Sequence, residues 1–397
     1  MNSHRRGRKL LLLSSLYISQ YIPLMFFVQA LPVFMRQQGV SLEFIGLVYL
    51  LALPLLLKVF WSPLIDRYGH TRWGHYRFWI VTFQLLLAGV AALCAFVSFQ
   101  TNFMLLFGLL MLMATLAASQ DIATDALAVR LLTPTERGWG NGIQMTGNYL
   151  GAMLGGGAML VLLNQWGWRN SLLALALIIV VALFPILQYR EHSSKVAHKA
   201  PIWMDLANFY RRPGVWRWLM LLTLYLIGGT MADSMFRPLL VDIGLSLADI
   251  GWLLGVVGNG ASIAGAVISG LLVVPMGRKR SLIFFGGVQM IAILTYLLPA
   301  SGISHQLVLH FVTIVTGFAS GATFTVSSTV MMDKSQLAAP GTDYTAQTSI
   351  VYLGSFMAAG MSGVVASAIG YQGVFGVGVA VAFLTILLMR RTLTLAQ

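Results

Sequence analysis

The chain has 397 residues, of which 58% are hydrophobic and only 9% charged, with a mean hydropathy of +0.80. This composition excludes a soluble domain, and the apolar stretches that recur along it approach the ~20 residues needed to cross hydrocarbon as a helix, which excludes barrel strands. The formal charge of +13 is spread over alternate loops, a membrane orientation signal rather than a nucleic-acid surface, and the single Cys94 excludes an intramolecular disulfide.

The basic opening MNSHRRGRK runs straight into an apolar segment without a small-residue cleavage site, and reads as the retained cytoplasmic start of the first helix. Hydropathy predicts helices over about 10–35, 44–65, 77–98, 103–129, 142–164 and 169–188. After a polar interruption it predicts six more, over about 216–241, 249–274, 281–299, 305–332, 344–370 and 372–389. With the amino terminus inside, Arg67, Arg72, Arg77, Arg130, Arg137, the cluster from Arg190 to Arg217, Arg278, Lys279, Arg280, Lys334, Arg390 and Arg391 all fall on the cytoplasmic side. Only Arg36 and Arg169 fall outside, so both termini are expected in the cytoplasm.

The interruption divides the chain into a first half, 1–188, a cytoplasmic linker, 189–215, and a second half, 216–397. GVSLEFIG at 39–46 echoes GLSLADIG at 244–251, and QMTGNYLG at 144–151 echoes QTSIVYLG at 347–354, at offsets of 205 and 203 residues. The expected architecture is therefore an all-α membrane protein with twelve transmembrane helices in two pseudo-symmetric halves, the plan of secondary transporters. Small residues in GNYLGAMLGGG and GNGASIAGAVISG recur at spacings that let helices approach closely, for packing or for sliding during gating.

Apolar helices have no need of Lys58, Asp121, Asp125, Asp233 or Arg237, and each costs several kcal/mol at membrane depth unless paired or wet. Asp121 and Asp125 lie four residues apart on one face, widened by Gln120 and Thr124, and form a candidate proton-coupling site. The plainer alternative is a clamp with Lys58, Arg130 or Arg137; Lys58 itself either snorkels to the cytoplasmic face or pairs with Asp121. Asp233 and Arg237 repeat the spacing in the outer half of the seventh helix, beside Pro238 and the glycine pair at 228–229. They form either an intrahelical salt bridge or a substrate contact, with the Arg237 fork suited to a carboxylate or phenolate oxygen. Tyr17, Gln20, Tyr21 and Gln29 in the first helix, Gln144 and Asn148 in the fifth, and Gln347 and Tyr352 in the eleventh are further substrate-binding candidates. Any one of them serves equally as an interhelical polar contact.

The loop WSPLIDRYGHTRWGHYR after the second helix carries Asp66 and Arg67, and VVPMGRKRS after the eighth carries Arg278 without the acid. With twelve helices in two halves, these loops resemble the major facilitator superfamily, which implies that Lys58, Asp66, Arg67, Arg137 and Arg278 gate the cytoplasmic side. DIATDALAVRLL followed by ERGWGNGIQ resembles the muropeptide-permease-like branch through Asp121, Asp125, Glu136, Arg137, Gly138, Asn141 and Gln144. The chain's compactness makes it similar to ferric-siderophore importers of the RhtX and FptX type, in the inner membrane of Gram-negative bacteria. This resemblance implies a monomeric, proton-coupled importer of a ferric siderophore, driven by the proton gradient across the bilayer. The alternatives are a muropeptide permease, a drug or siderophore exporter and, less favoured, a non-transporting receptor. A sugar fragment predicts several Asn, Gln and aromatic groups facing the cavity, whereas a ferric chelator needs fewer contacts and a single cation. The sequence has no phosphate loop, catalytic residues, cofactor motif or metal site, and His4, His70, His75, His192, His198, His305 and His310 form no ligand constellation.

Overall fold

A computed structural model describes residues 2–39, 47–69, 71–98, 102–191 and 202–392. His70, His192, His198, positions 40–46 of the first repeat and 192–201 of the linker lie outside the described residues. The described chain is helical throughout, with a lone Thr71–Gly74 bridge as its extended pairing. In chain order the helices are α1 (Asn2–Met25), α2 (Leu31–Gln37), α3 (Leu53–Leu57), α4 (Ser62–Arg67), α5 (Tyr76–Cys94), α6 (Phe103–Leu131), α7 (Arg137–Ala152), α8 (Met159–Val181) and α9 (Phe184–Gln188). They continue with α10 (Met204–Arg211), α11 (Val215–Asp242), α12 (Leu247–Trp252), α13 (Asn259–Met276), α14 (Arg278–Thr295), α15 (Leu297–Ala300), α16 (Gln306–Lys334) and α17 (Pro340–Thr392).

Among the described residues nine helical spans are long and apolar enough to cross a membrane. Two of these are 52 residues long. One glycine with positive φ interrupts each of them, Gly167 at φ 71° and Gly370 at φ 73°. A side chain is strained in that region, so glycine is what allows the chain to turn back there. The predicted second helix is not continuous. Pro54 and Pro63 each lack an amide donor and start a fresh helix, leaving α3 and α4 separated by a tight turn at Lys58–Phe60. The twelve-helix expectation thus rests, at its second member, on short pieces.

Positive-φ glycines recur at the repeat offsets: Gly39 and Gly244 are 205 residues apart, Gly167 and Gly370 are 203 apart. Both pairs carry the offsets of the sequence echoes, and they support an internal duplication through backbone conformation rather than residue identity. Large apolar side chains such as Leu105, Leu177, Leu271 and Val364 are exposed on the helix surfaces, as a lipid-facing shell requires.

The helices gather into two compact units. The first comprises Met1–Thr133, Leu150–Asn208 and Ser335–Ser349. Its core packs Ile22, Phe26, Phe34, Leu87, Leu110 and Leu172 from α1, the turn after it, α2, α5, α6 and α8. That wide helical turn, Phe26–Ala30, joins α1 to α2, and a matching one, Met153–Ala158, joins α7 to α8. Gly151, Gly155 and Gly156 place backbone directly against Tyr21, Ile22 and Gln29, where any Cβ would collide. Arg169, one of the two exceptions to the charge pattern, lies over the Phe96 ring at 4.6 Å.

The second unit comprises Pro134–Tyr149, Phe209–Lys334 and Ile350–Gln397. Here α13 and α16 meet backbone to backbone: a Cβ on Gly265, Gly317 or Gly321 would strike Phe318, Gly258 or Ser262. The small residues of the predicted eighth helix therefore serve packing. Phe236, Tyr296 and Phe375 form an aromatic column with centroids 4.5 and 5.1 Å apart.

Candidate functional site

In the first unit α6 carries the acids inward. Asp121 and Asp125 are both buried, one turn apart, and face α1. Asp121 accepts hydrogen bonds from the Lys58 ammonium and the Gln20 amide. Lys58 is 1% exposed, so it does not snorkel to the membrane surface; the turn created between Pro54 and Pro63 directs it inward to the acid. Asp125 accepts from the Tyr17 hydroxyl at 3.0 Å. Beside them Gln120 donates to Gln84 at 3.3 Å, and Gln84 donates to the Ile179 carbonyl at 2.9 Å. Gln20 Oε1, Gln120 Oε1 and Thr124 Oγ1 are buried with no hydrogen-bond partner among the described residues, so this face retains acceptor capacity.

Asp66, in the last turn of α4, is a second focus of this unit. It accepts from the Tyr76 hydroxyl at 2.7 Å, the Gly341 and Thr342 amides at 3.0 and 2.6 Å, and the Thr342 hydroxyl at 2.7 Å. A carboxylate here satisfies orphan donors at the start of α17 and complements its dipole. Gln347 is tied down nearby, donating to Ser335 Oγ at 3.3 Å and the Asp343 carbonyl at 3.1 Å.

In the second unit the acid missing from the later loop is supplied by Asp333, which is not among the residues that the sequence marks as candidates. Arg137 Nη1 reaches its Oδ1 at 2.9 Å and Arg278 Nε its Oδ2 at 2.6 Å. Arg278 also donates to the Pro134 carbonyl at 2.6 Å. Arg137 thus pairs within this unit. Asn141 donates to the Arg137 carbonyl at 2.7 Å, bracing the start of α7.

The second unit also holds a cavity of about 320 Å³, lined by Asp233, Tyr225, Gln289, Tyr296, Thr316 and Tyr352 among others. Asp233 and Tyr352 are legible as candidates in the sequence; Gln289, Tyr225 and Tyr296 are not, because one polar residue in an apolar helix is indistinguishable from an interhelical contact until the helices are placed. Asp233 accepts from the Tyr296 hydroxyl at 3.4 Å, and it forms no salt bridge with Arg237. Arg237 is exposed one turn further along α11. No Lys or Arg is among the described residues lining the cavity. Of the remaining candidates, Gln144 is buried, while Asn148 and Gln29 are half-buried.

The Major Facilitator Superfamily model matches residues 13–359. The chain belongs to that superfamily. Within it, the anhydromuropeptide permease of Escherichia coli strain K12 is 30% identical over 275 residues, covering 68% of this chain and 56% of the permease. The chain therefore matches a little over half the length of that relative. A protein of Haemophilus influenzae is 28% identical over 296 residues, covering 72% of this chain and 69% of its own length. The outward-conformation crystal structure of the major facilitator transporter FucP superposes with a TM-score of 0.72 at 16% identity, covering 96% of this chain and 99% of FucP. This major facilitator is a multi-pass membrane transporter of the muropeptide-permease-like branch, not an enzyme.

Proposed function

We propose that this transporter is a secondary permease for an anhydromuropeptide-type cell-wall fragment in the bacterial inner membrane. The observation that carries the reading is the 30% identity to the E. coli anhydromuropeptide permease. The cavity supports it: amide, hydroxyl and tyrosine groups with one carboxylate and no lining cation among the described residues match the demands of a sugar-bearing solute better than those of an anionic ferric chelator. In this reading the halves 1–188 and 216–397, joined by 189–215, alternate access to the solute. The α6 face with Asp121 and Asp125 handles the proton, which must compete with Lys58 for Asp121. Asp66, Arg67, Arg137 and Arg278 stabilise the closed cytoplasmic side.

Uptake of radiolabelled anhydromuropeptide and of a panel of labelled ferric siderophores is measured in cells lacking their own inner-membrane importers of both. Chain-dependent accumulation of the muropeptide that collapses on adding a protonophore is expected. Accumulation of a ferric siderophore instead would overturn the substrate assignment, and muropeptide uptake insensitive to the protonophore would overturn proton coupling.

A further inference from the structure

Asp233 and Arg237 stand one turn apart on α11 and would normally satisfy each other, since opposite charges at this spacing are neighbours on a helix surface. They do not. Asp233 bonds instead to Tyr296, and Arg237 has neither a salt bridge nor a hydrogen bond among the described residues. Leu226, Thr230 and Asp233 line the cavity from α11, and the helical period continues that face to Arg237, one turn beyond the lining. Both side chains are exposed, so a solute that enters the cavity can reach the two charges.

A solute group that engages both must carry both opposite charges. Beside Asp233 the cavity presents the rings of Tyr225, Tyr296, Tyr352 and Phe324, and aromatic faces around a carboxylate favour an ammonium. Arg237 offers a planar fork that matches a carboxylate. With Cβ atoms about 5–6 Å apart at this spacing, the two side chains can hold opposite ends of a group whose ammonium and carboxylate sit on one carbon. We propose that Asp233 and Arg237 form a subsite for an amino-acid zwitterion in the peptide portion of the transported fragment. The proposal rests on the permease reading above and refines it: α11 reads the peptide, by charge, while the sugar contacts lie elsewhere. It also revises the role of Arg237, from a general anion contact to one arm of a two-charge clamp.

The test titrates the purified full-length protein with three anhydromuropeptides: one with the amine and carboxylate of an amino-acid group both free, one with that amine acetylated, and one with that carboxylate amidated. Each modification should weaken binding to the wild type about tenfold, the loss of one charge-assisted hydrogen bond. Asp233→Asn should abolish the penalty for acetylation while keeping that for amidation, and Arg237→Gln should do the reverse. Equal affinity of the wild type for all three overturns the clamp and leaves the permease reading intact. Binding of none overturns the permease reading and the clamp with it. A variant that weakens all three equally, without changing their ratios, overturns the clamp. The wild-type comparison decides even where a variant does not fold.

Discussion

Replacing Lys58 with Met removes the cation from a buried pair and keeps the apolar stem. Lys58 is 1% exposed and Asp121 6%, so solvent screening offers no discount. Breaking such a pair from one side costs ~3–5 kcal/mol, because the remaining charge is left without compensation. With an unfolding entropy of about 2.1 cal/mol/K per residue, the 397 residues give ~0.8 kcal/mol/K, and the unfolding temperature should fall by about 4–6 °C. That is a lower bound in detergent, where helices persist after tertiary structure is lost and the entropy change is smaller. The assay is thermal unfolding of the purified full chain, followed by intrinsic fluorescence, for Lys58→Met, Asp121→Asn and the double variant. The double variant should recover most of the loss, since removing both charges of a buried pair is often close to neutral. A Lys58→Met transition within about 1 °C of wild type, or a double variant that falls by the sum of the singles, refutes the pairing.

Asp333→Asn should weaken the cytoplasmic end of the second unit by ~2 kcal/mol, and Arg278→Gln should then add little, because both remove the same partly buried contact; a thermal double-mutant cycle reads the coupling. Asp66→Ala leaves the Gly341 and Thr342 amides without their acceptor, and should cost ~2–4 kcal/mol and reduce uptake, whereas removal of the Tyr76 hydroxyl alone should cost ~1 kcal/mol; thermal unfolding and transport assays check the two. Gly321→Ala drives a methyl into the Ser262 backbone and should destabilise by ~1–3 kcal/mol. Gly260→Ala, with nothing within 4 Å of the added Cβ, should be neutral or slightly stabilising because alanine is the better helix former.

Several features are legible in the sequence because they are local. Helix spans follow from hydropathy, and the one-face placement of Asp121 with Asp125 follows from the helical period. Close packing at Gly151, Gly155 and Gly265 follows from small-residue spacing. Partnership over distance is not legible in the same way. Asp333 lies 55 residues from Arg278 and 196 from Arg137. Its only signal is that an acid at the end of the long apolar α16 sits at the unfavourable pole of that helix and calls for a cation. The broken second helix is readable in principle from Pro54 and Pro63, but apolarity across LPLLLKVFWSP masks the interruption. That break is what directs Lys58 to Asp121, so without it the lysine's direction stays open.

The two units treat their intramembrane charges in opposite ways, and the contrast bears on where transport work is done. In the first unit Lys58 and Gln20 meet Asp121, and Tyr17 meets Asp125. Charges so engaged hold a structure, and they act in transport only if a step of the cycle releases them. In the second unit Asp233 and Arg237 share one helix face yet form no ion pair among the described residues, beside an open cavity. In the proposed permease, exposed charges that are not bonded to each other need no release before a solute reaches them. Lys58 is therefore the more informative lysine to remove for coupling and Arg237 the more informative arginine for specificity: loss of Lys58 should alter how uptake depends on the proton gradient, and loss of Arg237 should alter which solute is taken.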